Sequence, residues 1–389
     1  MARREARDGY LFVTPAALLI GLFGIFPVFY SVVVSLHRWR IRQGPFIGLE
    51  NFDDALGGIV SPVLLLAGLA LVVFGPRLLS HGRSAIHATR MTSRPRHIVE
   101  IVAGAMLLGT GLTVLVFALP NLWQEGDEEM LDSLRITIWY SLGTVPIQLL
   151  FGLILAVLLD NKFKGKQVFR VIFLLPYIVP TVASAAIFQV LFSLRPESFA
   201  NELLGLFGVE PLGWLGERTG VFSMAFGWGV EPPETALGTY WAGWAQGPSL
   251  ALVSIMIFNY WVYIGYYALI YSNGLANIPR QLYEAAEVDG ARRLTVIRKI
   301  TIPLLSPTTY FLTLLGVIGT FKSFSSIYVL RNPATGGATD PMSVYIFFTF
   351  FRRSRFGYAA ALSLLLFLIV LGLTVVQRRI LEKRVHYGE

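Results

Sequence analysis

From Tyr10 to Ser35 the chain runs without a single Asp, Glu, Lys or Arg, and seven more apolar runs follow, each holding at most one charged residue. They are expected at Pro62 to Leu79, Ile98 to Leu119, Thr137 to Leu159, Val168 to Phe192, Ser249 to Leu275, Leu304 to Phe324 and Tyr358 to Val376. About 20 residues of helix cross a hydrocarbon core of roughly 30 Å. The backbone has no water to bond there, so only helices or closed barrels can span it. These runs are continuous rather than alternating, which excludes barrel strands. The expected fold is all-α, a polytopic membrane protein with about eight transmembrane helices. With 54% hydrophobic and 14% charged residues, the chain has too little charge to clothe a soluble globule of 389 residues.

A net charge of +8 raises nucleic acid as a partner, but the basic residues flank the apolar runs and follow topology instead. Arg83, Arg90, Arg94 and Arg96 share one loop, Lys162, Lys164, Lys166 and Arg170 another, and Arg378, Arg379, Lys383 and Arg384 the end. The loop from Pro120 to Ser133 carries Glu125, Asp127, Glu128, Glu129 and Asp132, and suits the outside. Both termini are therefore expected in the cytoplasm. Arg38, Arg40 and Arg42, and Arg352, Arg353 and Arg355, run against this on two external loops. Arg3 and Arg4 before the first run resemble a signal peptide, but the run is long and lacks a small-residue cleavage site, so an uncleaved span is expected. Cysteine is absent and the five histidines lack metal-ligand spacing, which leaves no disulfide or metal site to expect.

One polar stretch interrupts the apolar pattern. Ile278-Pro279 closes the sixth run, because proline ends a helix and restricts the residue before it. A helix is expected next, with Leu282, Ala285, Ala286 and Val288 as its small and apolar side and Glu284, Glu287 and Asp289 near its beginning, where the dipole favours acids. Gly290 permits the positive φ that ends it. Ala291 to Lys299 is expected to form a second helix, and Pro303 to start the seventh span. The sequence reads EAAxxxG, nine residues, then Ile300-Thr301-Ile302-Pro303.

This spacing resembles the cytoplasmic coupling loop of binding-protein-dependent ABC importer permeases, with Ile302 standing where leucine is usual. The resemblance extends over most of Met1 to Asp54 and Met130 to Gln377. It includes Leu49-Glu50-Asn51-Phe52, Leu159-Asp160-Asn161, Leu174-Leu175-Pro176, Val179-Pro180 and Gly274-Leu275. The chain is similar to the maltose and glycerol-3-phosphate group of carbohydrate permeases.

The resemblance implies a type I ABC importer permease fold in a bacterial or archaeal inner membrane. Residues 1–56 would hold the N-terminal tail, first span and external loop, and 57–120 an inserted transmembrane hairpin. Residues 130–377 would form the core, with an external loop at 194–248 and the coupling loop at 276–303, and 378–389 a cytoplasmic tail. The stretch from Arg218 to Gly247 is longer than usual for such permeases.

Further implied are a second homologous permease subunit, two ATPase subunits carrying ATP and Mg, an extracytoplasmic solute-binding protein and the surrounding lipid, with no cofactor on this chain. The chain has no GxxxxGK[ST] loop, so nucleotide belongs to the partners. Glu284, Ala285, Ala286, Asp289, Gly290, Ile300 and Pro303 would couple to the ATPase.

Polar groups inside spans are costly and mark candidate pathways. Asn259, Tyr263 and Tyr266 on the sixth run and Thr320, Lys322 and Ser323 on the seventh are the candidates; amides and aromatic faces suit a sugar. Lys322 would suit glycerol 3-phosphate or another polyol phosphate. Two other classes stay open: a membrane enzyme acting on lipid-linked sugars through the acids at 125–132, and an ion-coupled transporter, which would show broken helices and mid-membrane ionisable groups.

Overall fold

A computed structural model of the chain describes residues 2–58, 60–88, 94–160, 164–229 and 235–381. Arg90, Lys162, Glu231, Glu234, Lys383 and Arg384, and with them most of the expected tail, lie outside the described residues. Among the described residues every regular element is a helix, and two isolated bridges, His37 with Phe46 and Gly220 with Ser249, are the only extended pairings. Six helices are long and apolar enough to cross a membrane, or up to eight if each of two bent pairs counts as a span.

The bent pairs are where the structure departs from eight straight spans. The expected fifth span breaks by 92° between Lys166–Ile178 and Thr181–Leu191. Pro180 forces the preceding Val179 into an extended conformation, φ −67° and ψ 139°. The expected seventh span bends by 63° between Arg293–Leu304 and Ser306–Phe321, with Pro307 in the first turn of the second piece. The acidic loop expected over 120–133 is also mostly helix, since one helix runs to Glu125 and the next begins at Glu128. Asp127 caps the latter, its Oδ1 accepting from the Met130 N–H at 3.0 Å.

The chain divides into two compact units. The first comprises Met1–Leu131, Glu231–Gly243 and Ile346–Leu365. Its helices Val60–Ala88 and Arg94–Glu125 form an antiparallel hairpin zipped along glycines: a Cβ on Gly104 would lie 2.8 Å from the Gly75 carbonyl oxygen, and one on Gly111 2.9 Å from that of Gly68. Small residues let two membrane helices approach to backbone contact. The span Tyr10–Ser35 is closed by Asn51, whose buried amide donates to the Ser35 and His37 carbonyls at 2.7 and 3.1 Å. Three of the six arginines that opposed the sidedness pattern have acidic partners here. Arg38 pairs with Glu50, Arg353 with Glu129, and Arg355 with Asp54 at 3.2 Å while lying 4.2 Å over the Tyr358 ring.

The second unit comprises Asp132–Val230, Trp244–Tyr345 and Leu366–Glu389. We label its helices α1 (Glu128–Asp160, entering from the first unit), α2 (Lys166–Ile178), α3 (Thr181–Leu191), α4 (Leu250–Ala276), α5 (Arg280–Val288), α6 (Arg293–Leu304) and α7 (Ser306–Phe321). α4 is the central pillar. A Cβ on Gly143 would meet the Met256 sulfur and one on Gly152 the Tyr267 Cβ, both at 2.6 Å, so α1 and α4 run parallel. Gly265 of α4 lies against the Phe173 carbonyl of α2, and Gly274 against Thr308 of α7. Ala156, Tyr267, Ala268, Tyr271, Leu275, Ile278, Leu305 and Leu312 form the core around these contacts.

The stretch after α3 is a folded cap in the portion that belongs to this unit. Buried Asn201 accepts from the Leu212 N–H at 2.9 Å and the Trp214 indole at 2.7 Å, and donates to the Arg195 and Leu212 carbonyls. Trp214 packs with Ala200 and Leu250. Asn201→Ala would strand these buried groups and cost about 3 kcal/mol locally, read as faster proteolysis within 194–229. Glu217 accepts from the Thr219 hydroxyl at 2.6 Å and its N–H at 2.9 Å, which holds the carboxyl below its ordinary pKa. The stabilisation is complete above the ordinary carboxylate pKa and lost as pH falls through the lowered one, so cap proteolysis rises at acid pH.

Candidate functional site

The coupling pattern forms the end of the second unit that follows the C-terminus of α4. α5 begins at Arg280 after Pro279, and its end is closed by Gly290 at φ +66°. Gly290 N–H donates to the Glu287 carbonyl at 3.0 Å and Ala291 N–H to that of Ala286 at 2.9 Å, the two bonds of a Schellman motif. Nothing lies within 4 Å of a Cβ built on Gly290, so the backbone conformation alone demands glycine.

The acids are not where the sequence reading put them. No acid occupies the first turn of α5; Glu284 is mid-helix, and Glu287 and Asp289 lie at the carbonyl end, where the dipole disfavours negative charge. Ala286 faces inward and is buried, while Glu284, Ala285 and Asp289 are exposed. Val288 is 89% and Leu294 66% exposed, apolar groups without cover on a polar loop.

Tyr283, which the sequence reading passed over, fixes this helix. Its ring packs on the core and its hydroxyl lies 3.3 Å from Thr301 Oγ1. Ile300 and Pro303 lie within α6, which includes a π-helical turn at Ile297–Thr301. Pro303 is therefore in the last turn of α6 rather than at the start of the membrane segment, and Pro307 takes that starting place in α7. The second helix expected over 291–299 begins at Arg293 and runs on to Leu304.

The pathway candidates separate into groups. Tyr263 and Tyr266 gather around Tyr177 of α2, with Tyr266 stacked on it at 4.5 Å and 18° and Tyr263 edge-on at 5.7 Å. Tyr177 sits in the last turn of α2, directly before the break in the fifth span, a signal readable only once the break is known. Thr320 Oγ1 donates to Ser141 Oγ at 2.8 Å, and Ser323 lies 3.5 Å from Tyr140 Oη. Asn259 is buried with its amide on the Ile255 carbonyl, and Gln148 bonds its backbone oxygen, so its polarity is used within the bundle. Lys322 is exposed at the C-cap of α7 rather than within a span, where the helix dipole favours its charge.

The family model for the binding-protein-dependent transport system inner membrane component matches residues 148–387, and the chain belongs to that family. The trehalose/maltose transport system permease protein MalF of Thermococcus litoralis is 26% identical over 379 residues, 97% of this chain and 94% of that protein. The lactose transport system permease protein LacF of Rhizobium radiobacter is 28% identical, covering 95% and 92%. The probable ABC transporter permease protein YesP of Bacillus subtilis is 31% identical over 266 residues, 67% of this chain and 75% of that one. The crystal structure of a bacterial ABC transporter involved in the import of alginate shares the fold, at a TM-score of 0.52 and 22% identity over 71% of this chain and 94% of that one. The MalF and LacF alignments extend across 57–120, whereas the YesP alignment covers two thirds of the chain.

Proposed function

We propose that the chain is one of two permease subunits of an ATP-driven sugar importer and that α5 is the helix its ATPase grips. The observation that carries this reading is a rigidly closed helix presenting Glu284, Val288 and two acids at the wrong end of its dipole. A cationic, partly apolar socket on a partner would offset all three features. α5 then lies in the cytoplasm, both termini lie on the same side, and the solute-binding protein approaches the opposite end. ATP and Mg stay on the ATPase subunits, whose closure moves the spans as rigid bodies.

A sugar is favoured because the Tyr177, Tyr263 and Tyr266 faces suit pyranose rings, and because relatives such as MalF and LacF are named for trehalose, maltose and lactose transport. Lys322 is the one hook for a polyol phosphate among the pathway candidates, and the related UgpA of Agrobacterium fabrum is named for sn-glycerol-3-phosphate transport. The acids proposed for a lipid-linked sugar enzyme are committed to structure: Asp127 accepts from Tyr358 at 2.5 Å and Glu129 pairs with Arg353.

The test is ATP hydrolysis by the chain co-expressed with its partner permease, ATPase and binding protein. Stimulation by sugar-loaded binding protein is expected. Stimulation by glycerol 3-phosphate alone transfers the reading to polyol phosphates, and failure to assemble with any ATPase ends it.

A further inference from the structure

One apolar surface in the cap of the second unit belongs neither to the coupling loop nor to the tyrosine cluster. The helix Phe199–Gly205 and the turn that follows it have two unlike sides. At about 3.6 residues per turn, Ala200, Asn201 and Leu204 fall on one side, and Phe199, Leu203, Leu206 and Phe207 on the other. The first side packs inward: Ala200 and Leu204 lie in the cluster around Trp214, and Asn201 makes the four bonds of the cap network. The second side is open, with Leu206 79% and Phe207 78% exposed and Phe199 and Leu203 at least half exposed. The Asn201 bonds fix the helix about its own axis, so this face cannot turn inward without breaking them.

The depth of the open face follows from what the other side touches. Leu250, the first residue of α4, belongs to the same cluster, and Ile257, two turns further along α4, packs on it. α4 has 27 residues, a length of about 40 Å against a hydrocarbon core of about 30 Å. The excess, shared between its two ends, leaves Leu250 level with the headgroups and Ile257 among the acyl chains. The cap helix therefore lies at the boundary between them, at the end of α4 opposite the coupling loop. Its apolar surface also runs on from that of α3: Ile187 and Val190 are exposed, and Leu194, exposed as well, lies against Gly216 of the cap.

We propose that Phe199, Leu203, Leu206 and Phe207 insert into the outer leaflet and seat the cap on the bilayer, the partner being the phospholipid surface itself. Burial of apolar area supplies the binding, as in helices that lie in the plane of a membrane. Attraction to anionic headgroups has no part in it, because residues 196–217 hold Glu197, Glu202, Glu210 and Glu217 and no base. Glu202, the single charge of the helix, is exposed at the margin of the apolar face. The contact also pins the outer end of α3, which runs into this helix through residues 192–198. It is independent of the solute carried.

The chain has no cysteine, so single cysteines can be placed without background. F207C and, as an aqueous control, E197C are labelled with a nitrobenzoxadiazole fluorophore in the complete importer, held in phosphatidylcholine nanodiscs without binding protein. Both positions are exposed, so neither label disturbs packing. Quenching is read with iodide from the water and with doxyl-labelled phosphatidylcholine whose nitroxide lies just below the headgroup. The ratio of lipid to iodide quenching is expected to be about ten-fold higher for F207C than for E197C. A ratio within about two-fold of the control overturns the assignment, because the face is then open to water. A label on F207C that neither quencher reaches overturns it too, and gives the face to a partner subunit. ATP hydrolysis stimulated by sugar-loaded binding protein is read on the same labelled complexes: if stimulation holds while the ratio fails, import stands and only the lipid contact falls.

Discussion

Gly265→Leu is expected to remove the protein from the membrane fraction as a folded species. A Cβ at this position would fall inside the contact distance of the Phe173 carbonyl, with the Phe173 carbon and the Leu174 nitrogen close behind. These are backbone atoms of α2, so no rotamer change relieves the collision; the helix itself must move. α2 is held at its far end by the break at Val179 and on its face by the stacking of Tyr177 on Tyr266, so a shift there disturbs the tyrosine cluster as well. Overpacking against fixed backbone is expected to cost about 4 kcal/mol or more, a large share of the roughly 5–15 kcal/mol that holds an ordinary domain folded. Fluorescence-detected size-exclusion chromatography of a tagged chain checks it: a monodisperse peak at wild-type height would show that α2 and α4 can part without penalty. Gly290→Ala is the control for glycine loss in general, since it meets no atom and suffers only the positive φ, about 1 kcal/mol.

The second large effect is on coupling. Glu284→Lys inverts the exposed charge at the centre of α5 without touching its packing, because Tyr283 and buried Ala286 carry the contacts to the rest of the chain. With the complex assembled, binding-protein-stimulated ATP hydrolysis is expected to fall at least about 30-fold, the order expected when a charge pair is broken inside an interface. Gly290→Pro should have the same outcome by another route: it deletes the N–H that bonds Glu287 and fixes φ near −65° where +66° is needed, so α5 loses its closure. Sugar-stimulated hydrolysis that survives both substitutions would mean that α5 is an ordinary loop.

The helical class and the positions of six spans were legible because crossing lipid imposes length and apolarity on each run. The closing turn at Gly290 was legible for a similar reason, since one residue type serves one backbone conformation. What lay beyond reading were properties of pairs distant in sequence. Nothing around Arg38 or Arg355 announces Glu50 or Asp54, and nothing in Tyr283 announces Thr301. Prolines misled in both directions: Pro180 and Pro307 break helices that hydropathy joins, while Pro303 is tolerated in the last turn of α6. The acids of α5 were misplaced because the helix starts at Arg280, directly after Pro279, which turns Glu287 and Asp289 into C-terminal residues. Asn259 illustrates the remaining difficulty, since an amide in a span looks the same whether it faces a channel or its own helix.

The joint between α6 and α7 lies one helix downstream of α5, the helix proposed above to meet the ATPase. Pro307 has no N–H to lend to the carbonyl four residues before it, so this angle can open or close without breaking a hydrogen bond at that position. On the proposed coupling, a push on α5 would pass through Tyr283 to Thr301 and reach α7 as rotation about a knuckle instead of as tension along a rod. Thr320 sits at the far end of that lever, with Lys322 and Ser323 just past it, so a small swing at the joint would give its largest displacement there.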